Sequence, residues 1–92
     1  MLKIFISGKI TGDRNYKEKF DNAKRALQGD GYIVLSPADL PIGMSREDYT
    51  RICFAMIDVC DQVIFLPDWK DSEGATLEYN YCLYNKKEIL GQ

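Results

Sequence analysis

Short apolar runs alternate along the chain with longer segments in which apolar residues recur every three or four positions. The runs are typical of buried strands, and the longer segments are typical of helices with one apolar face. The pattern predicts strands at 3–6, 32–35, 62–66 and 87–90, and helices at about 15–29, 45–61 and 73–85. A β-α-β-α-β-α-β order with helices of this length indicates an α/β fold whose parallel sheet is covered by helices.

Polar residues with capping chemistry predict where the helices begin. Asn15 and Glu18 have the spacing of a capping box, and so do Ser45 and Asp48. Ser72 is a candidate N-cap for the third helix, because its hydroxyl can accept a backbone N–H of the first turn.

The composition fits one domain over residues 1–92 with a modest core. Net charge is −2 with acids and bases mixed, so we expect no nucleic-acid polymer as a partner. No apolar run reaches membrane-spanning length, and the N-terminus has no signal-peptide pattern, which favours a cytoplasmic protein without membrane contact.

Cysteine and histidine usage restricts the chemistry further. Cys53, Cys60 and Cys82 lack metal-ligand spacing and lie in predicted helices, so they are interpreted as reduced, buried apolar residues. The chain contains no His. This excludes Ser-His-Asp and Cys-His catalysis and His-based zinc sites, and any chemistry must use carboxylates, hydroxyls, backbone dipoles, Lys or Arg.

Three loops are predicted to meet at the ligand-binding edge of the sheet. In a parallel α/β sheet this crevice lies outside the carboxyl ends of the strands, where loops 7–14, 36–44 and 67–72 fall. The N-terminus of the third helix, with Gly74 keeping the backbone open, can present free N–H groups to a phosphate or carboxylate.

Several residues in these loops have both a functional and a purely structural interpretation. The segment 7–12 is a strand-to-helix turn or a weak phosphate or sugar cradle, since it matches no nucleotide-binding motif. Trp69 either stacks on a base or covers the core, and Asp68 beside it is part of a solvated loop or of the site. Asp61 either ends the second helix or supports the pocket.

Glu78 is the strongest catalytic candidate. Counted from Gly74, positions 77, 78, 81, 82 and 85 share one helical face, and Leu77, Tyr81 and Cys82 are apolar. A solvated helical Glu is the default interpretation, but a carboxylate on this face is costly to bury without a partner. A carboxylate nucleophile suits displacement at a sugar anomeric carbon, because it stabilises and traps an oxocarbenium-like transition state.

Three segments together resemble the nucleoside 2-deoxyribosyltransferase superfamily: 4–12, 60–64 and 72–78. The chain is most similar to a small, uncharacterised bacterial and phage branch of that superfamily. The resemblance implies a flavodoxin-like, three-layer fold that cleaves the N-glycosidic bond of deoxynucleosides or their 5′-monophosphates. It places the nucleophile on Glu78 and a substrate-holding Ser on Ser72. It also implies no cofactor or metal, and a homodimer or larger homo-oligomer.

The chain departs from the superfamily pattern at two positions. Phe5 stands where a Tyr is common in the first strand, and Cys53 stands where catalytic members carry an Asp. A thiol is a poor replacement for a carboxylate that handles the proton of a leaving base. These departures favour the alternative of a non-catalytic nucleotide-binding domain over an enzyme.

Because Glu78 and the segment 72–78 are present in spite of these departures, the sequence predicts an N-glycosidase or deoxyribosyltransferase, with a nucleotide-binding domain as the alternative. The predicted catalytic residues are Glu78 and, as the preferred proton handler, Asp68. A third possibility is an interaction module whose interface is formed by Trp69 and the tyrosines of the third helix. The predicted substrate-binding residues are Phe5, Ser7, Gly8, Lys9, Asp39, Trp69, Ser72 and Gly74.

Overall fold

The computed structural model describes residues 1–91 and has a four-stranded, fully parallel sheet with the order β2-β1-β3-β4. The strands are β1 Lys3–Ser7, β2 Ile33–Leu35, β3 Gln62–Phe65 and β4 Glu88–Leu90. The helices are α1 Tyr16–Gly29, α2 Arg46–Val59 and α3 Glu73–Tyr84, with short 3₁₀ turns at Pro37–Asp39 and Trp69–Asp71. This order is that of a flavodoxin-like sheet, so the predicted fold class is confirmed.

Every helix and strand boundary falls within two residues of the predicted one, and the end of α2 shows why the largest difference arises. Cys60 caps this helix in an extended conformation, with φ −86° and ψ 153°, so the helix ends at Val59 and does not continue to Asp61. The Asp61 carboxylate instead accepts the backbone N–H of Lys3 at 2.8 Å. This bond joins the entrance of β3 to the entrance of β1, a tertiary contact that helix periodicity does not reveal.

Two of the three predicted caps form. Ser45 Oγ accepts the N–H of Asp48, and Ser72 Oγ accepts the N–H of Ala75, each at 3.1 Å. The predicted capping box at Asn15 is wrong, because the Asn15 side chain makes no cap bond. Its backbone N–H donates to the Asp13 carboxylate at 2.9 Å, so the chain enters α1 through an Asp turn.

The sheet separates two apolar clusters, because successive strand residues point to opposite faces. Phe5 of β1 packs with residues of α2 and α3, whereas Ile6 packs with Phe20 of α1. Ser7 lies on the same face as Phe5, two positions further along the strand. The carboxyl end of β1 therefore presents a hydroxyl to the layer formed by α2 and α3.

The buried face of α3 is offset from the face that the sequence predicted. Ala75 and Cys82 are buried, whereas Leu77 is 48% exposed and Asn85 is also exposed. The face that meets the sheet runs through positions 75, 78 and 82, which follow helical spacing. Glu78 belongs to both the predicted and the observed face.

The three cysteines are free and buried, as the apolar interpretation predicted. Cys60 lies just beyond α2, outside the helix in which it was expected. Within residues 1–91, no helix combines the length and the apolar character needed to cross a membrane.

Candidate active site around Glu78

Glu78 lies in the second turn of α3 and points at the carboxyl end of β1. Ser7 Oγ donates a hydrogen bond to Glu78 Oε1 at 2.6 Å. Ser7 is fully buried, whereas Glu78 is partly buried. A carboxylate from a helix and a hydroxyl from the central strand thus meet at the edge of the sheet where α/β folds bind ligands.

Burial raises the pKa of Glu78 to about 7, while hydrogen bonds from Ser7 and Cys53 act in the opposite direction. Desolvation disfavours the charged form, and donors to the carboxylate favour it. Both protonation states of Glu78 are therefore populated near neutral pH. Such a carboxyl group is suited to proton transfer or to nucleophilic attack.

Cys53 of α2 is the second neighbour of the Glu78 carboxyl group. Cys53 is 4% exposed, and burial followed by the charge of Glu78 strongly raises the pKa of its thiol. It therefore stays protonated and is a weak S–H donor towards Glu78. The sequence marked Cys53 only as a departure from a family pattern, and the tertiary structure brings it to the carboxylate.

The predicted proton handler, Asp68, takes part in a network of ion pairs and not in a contact with Glu78. Asp68 accepts the backbone N–H of Lys9 at 3.1 Å and pairs with the Lys19 ammonium group. Lys19 also pairs with Asp13 at 2.6 Å and donates to the Lys9 carbonyl at 2.8 Å.

The surroundings of Asp68 favour its ionised form. Desolvation is the largest single influence and raises its pKa, but hydrogen bonds from Lys19 and Lys9 and the charge of Lys19 outweigh it and lower the pKa overall. Lys19 is the residue that sequence reasoning missed. Its position in α1 beside other lysines gives no signal of the network.

Gly8 lies where two loops approach each other closely. A Cβ at this position would lie 3.0 Å from both Cβ and Cδ1 of Leu66, closer than side-chain atoms normally approach. Because it has no side chain, Gly8 allows the loop after β1 to pack directly against Leu66. Lys9 follows it, and its backbone N–H is already used by Asp68.

Trp69 covers the core. Its ring stacks on Tyr79 with centroids 4.3 Å apart and meets the edge of Phe65 at 5.5 Å. The side chain is 9% exposed, which leaves little surface for a nucleobase. Of the two interpretations that the sequence left open, the structure favours the one in which Trp69 covers the core. Phe5 is likewise fully buried among core residues.

Two further carboxylates lie away from Glu78. Asp39 pairs with Lys24 at 2.8 Å, and its side chain is 48% exposed. Asp61 precedes β3 and contacts Lys3, so it lies at the amino ends of the strands, opposite the crevice. The interpretation of Asp61 as a pocket-supporting group is therefore wrong.

Ser72 and Gly74 lie at the N-terminus of α3, next to a shallow groove of about 420 Å³. The Ser72 hydroxyl caps the helix, and the Gly74 Cα position is open, with Ser72 Oγ the nearest atom at 3.9 Å. Glu78 does not line this groove. The structure therefore brings Ser7, Cys53 and Glu78 together and leaves Ser72 and Gly74 at a neighbouring surface.

The described residues contain no group of three or more Cys, Asp or Glu side chains arranged to hold a metal ion. The chemistry available around Glu78 is that of a carboxyl group with a hydroxyl and a thiol as neighbours. Ser7 and Cys53 can hold the Glu78 carboxylate in one orientation and influence its protonation.

Comparison with solved structures defines the class of fold. A 2-desoxiribosyltransferase from Leishmania mexicana is similar to this chain with a TM-score of 0.75 and 24% sequence identity. The match covers 99% of this chain and 63% of that enzyme, so the chain spans less than two thirds of the enzyme's length. The fold is therefore nucleoside 2-deoxyribosyltransferase-like.

The sequence family is also defined. Residues 2–90 match the profile of a family described as "Domain of unknown function (DUF4406)", and the chain belongs to that family. No curated protein matches the chain.

Proposed function

We propose that this chain is an N-glycosidase or deoxyribosyltransferase that acts on deoxynucleosides or their 5′-monophosphates, with Glu78 as the nucleophile. The observation that carries the proposal is the partly buried Glu78 carboxyl group, held by Ser7 at the ligand-binding edge of a deoxyribosyltransferase-like fold. Its pKa of about 7 supplies a nucleophilic carboxylate at neutral pH without a metal or a His.

In the proposed reaction, ionised Glu78 attacks C1′ of the deoxyribose. The C1′–N bond breaks as a C1′–O bond forms, and the departing base keeps the electron pair and takes a proton from water. The product is a deoxyribosyl ester of Glu78. Water or a second base then attacks C1′, loses a proton to solvent and releases the Glu78 carboxylate.

The environment of Asp68 changes one part of the mechanism that the sequence suggested. Because Asp68 is paired with Lys19 and its pKa is lowered, we assign it to holding the two loops together and assign no proton transfer to it. Ser72, with the open backbone at Gly74, is proposed to hold the sugar or the 5′-phosphate at the start of α3.

The second candidate function is a non-catalytic nucleotide-binding domain. The observation that favours it is the neutral thiol of Cys53 beside Glu78, where a group able to protonate a leaving base would be useful. Both candidates use the same crevice, and both leave residues 1–92 as one domain with a small-molecule partner. A homo-oligomeric state and a cytoplasmic location stay predictions.

The proposal is tested by chromatography of deoxynucleosides and their 5′-monophosphates after incubation with the protein, with and without a second free base. The matched variants are Glu78→Gln and Glu73→Gln, since Glu73 lies on the same helix but is exposed and pairs with Arg46. We expect the parent and Glu73→Gln to release free base, and Glu78→Gln to release it at least about 10³-fold more slowly.

Exchange of one base for another would identify a transferase, and release without exchange would identify a hydrolase. If the parent releases no base at high protein concentration but is stabilised against heat by a nucleotide, the catalytic proposal fails and the binding domain is retained. Equal turnover in Glu78→Gln and the parent would remove Glu78 from the mechanism.

A further inference from the structure

Ser7 has one hydroxyl proton, and that proton is directed at Glu78. A serine hydroxyl provides a single donor, and the distance of 2.6 Å to Oε1 is that of a strong bond to a carboxylate. While this bond exists, Ser7 cannot donate to a bound sugar or phosphate. This geometry favours a role towards Glu78 over the substrate-binding role expected from the sequence.

The backbone that carries Ser7 is fixed on the central strand of the sheet. Ser7 pairs in register with Phe65, and its carbonyl accepts the N–H of Leu66 at 2.8 Å. The side chain is fully buried. A donor on such a rigid element can hold a functional group in one orientation better than a donor on a loop.

The strand pattern explains why the donor comes from position 7. Phe5 shares the face of Ser7 but is fully buried in the core and has no donor, whereas Ser7 lies one pleat closer to the crevice. Cys53 approaches the same carboxyl group from α2. The Glu78 carboxyl group is thus contacted by one donor from the sheet and by one from α2.

We propose that Ser7 is a positioning residue for Glu78, with the thiol of Cys53 as a weaker second donor. The two groups fix the orientation of the carboxylate and favour its ionised form. This inference rests on the proposed role of Glu78 as nucleophile, but its geometry can be tested without turnover.

The other titratable groups around Glu78 are thiols. Cys53 faces it from α2, and Cys82 lies one helical turn further along α3. Burial raises the pKa of Cys82 to about 11, and the charge of Glu78 adds to this rise. Both thiols are neutral at physiological pH, so the ionisation of Glu78 is governed by its burial and by its two donors.

The test is a titration of the Glu78 carboxyl carbon by ¹³C NMR, with glutamate labelled at this carbon and the signal assigned by its loss in Glu78→Gln. The variants are Ser7→Ala, Ser7→Thr and Cys53→Ala. Ser36→Ala is the matched control, because Ser36 is also a buried serine at the carboxyl end of a strand, but its hydroxyl accepts the N–H of Ala38.

We expect the pKa of Glu78 to rise by about one unit in Ser7→Ala, because the main donor to the ionised form is lost. Cys53→Ala is expected to raise it by a smaller amount, since a thiol is a weak donor. Ser7→Thr keeps the hydroxyl and is expected to titrate like the parent, as is Ser36→Ala. Circular dichroism establishes that each variant is folded.

A Ser7→Ala variant that folds and titrates like the parent would overturn the proposal. If Ser7→Ala does not fold, Ser7→Cys takes its place in the titration, because its thiol has a similar size but is a weak donor, and an unchanged pKa there would equally overturn the proposal. If the parent turns over, Ser7→Ala is expected to lower kcat with little change in KM. The pKa on the acidic side of its pH–rate profile is expected to shift to higher pH. Absence of turnover in the parent rejects the proposed function, while the titration still decides the role of Ser7.

Discussion

The backbone N–H of Lys9 donates to the Asp68 carboxylate at 3.1 Å, and this bond joins the loop after β1 to the loop after β3. Lys19 of α1 pairs with the same carboxylate, so three segments converge on Asp68. The two loops flank the carboxyl ends of the central strands, where Ser7 holds Glu78. The two loops at this edge of the sheet are therefore joined by an ion pair that takes no part in the proposed chemistry.

Replacement of Asp68 by Asn tests this dependence. We expect Asp68→Asn to lower the free energy of unfolding by about 1–2 kcal/mol, because a partly buried, charge-assisted pair with Lys19 is lost. The control is Asp39→Asn, which removes a more exposed pair with Lys24 and is expected to change stability by less than about 1 kcal/mol. Urea unfolding followed by Trp69 fluorescence measures both, and equal effects would contradict the special role of Asp68.

The same network predicts a loss of stability in acid. The folded-state pKa of Asp68 and that of Asp13 are lowered, so their contribution is present above the ordinary Asp value of 3.8 and is lost as pH falls below it. The pH dependence of Asp68→Asn below pH 4 is therefore expected to be weaker than that of the parent.

Replacement of Glu78 by Gln is expected to stabilise the protein while removing activity. Burial raises the folded-state pKa from 4.5 to about 7, so the carboxyl group lowers stability progressively as pH rises between these values. Above pH 7 the full penalty is up to about 3 kcal/mol. Thermal unfolding of Glu78→Gln and of the parent at pH 5 and pH 8 measures the difference, which we expect to be larger at pH 8.

The control for this comparison is Glu73→Gln on the exposed surface of α3. Its effect on stability is expected to be small at both pH values. A Glu78→Gln variant that is less stable than the parent at pH 8 would show that the carboxylate gains more from its partners than it loses by burial.

The pH dependence of base release follows from the ionisation of Glu78. Only the carboxylate attacks C1′, so kcat/KM is expected to rise with pH and to level off above about pH 7. A hydrolytic assay with one deoxynucleoside across pH 5–9, at constant ionic strength, measures the profile. A rate that is independent of pH between 5 and 7 would assign the nucleophile to another group.

Gly8 and Gly74 provide a matched pair of glycine substitutions. Gly8→Ala is expected to destabilise the protein by about 1–3 kcal/mol, because the new Cβ would lie 3.0 Å from the Leu66 side chain. Gly74→Ala is expected to be neutral or to stabilise by about 0.5 kcal/mol, since the position is open and helical. Thermal unfolding of the two variants measures the contrast, and a stable Gly8→Ala would show that the loop can move away from Leu66.

Much of the fold could be predicted from the sequence, because it is encoded locally. The apolar runs around Phe5 and Val63 and the periodic stripes between runs specify strands and helices through side-chain spacing alone. The caps at Ser45 and Ser72 formed as predicted, since each depends on residues three positions apart. The capping box at Asn15 does not form, because the backbone N–H of Asn15, which the Glu18 side chain would accept, donates to Asp13 instead.

The candidate site could be predicted only in part. The sequence placed Glu78 on an inward face, because helical spacing relates it to Cys82. It could not pair Glu78 with Ser7, which is 71 residues away along the chain. It also left open whether Trp69 covers the core, and this depended on the stacking partner Tyr79.

The sequence by itself determined the α/β class, the order of the elements and the residues that carry possible chemistry, because these depend on composition and short-range spacing. The tertiary structure decided which polar groups share a partner. Asp68 joins two loops and is paired with Lys19 of α1. Ser7 donates to Glu78 because the parallel sheet brings the end of β1 next to α3. Hydrogen bonds and ion pairs act only over a few ångströms, so the roles of these residues are fixed by long-range folding and not by their sequence neighbours.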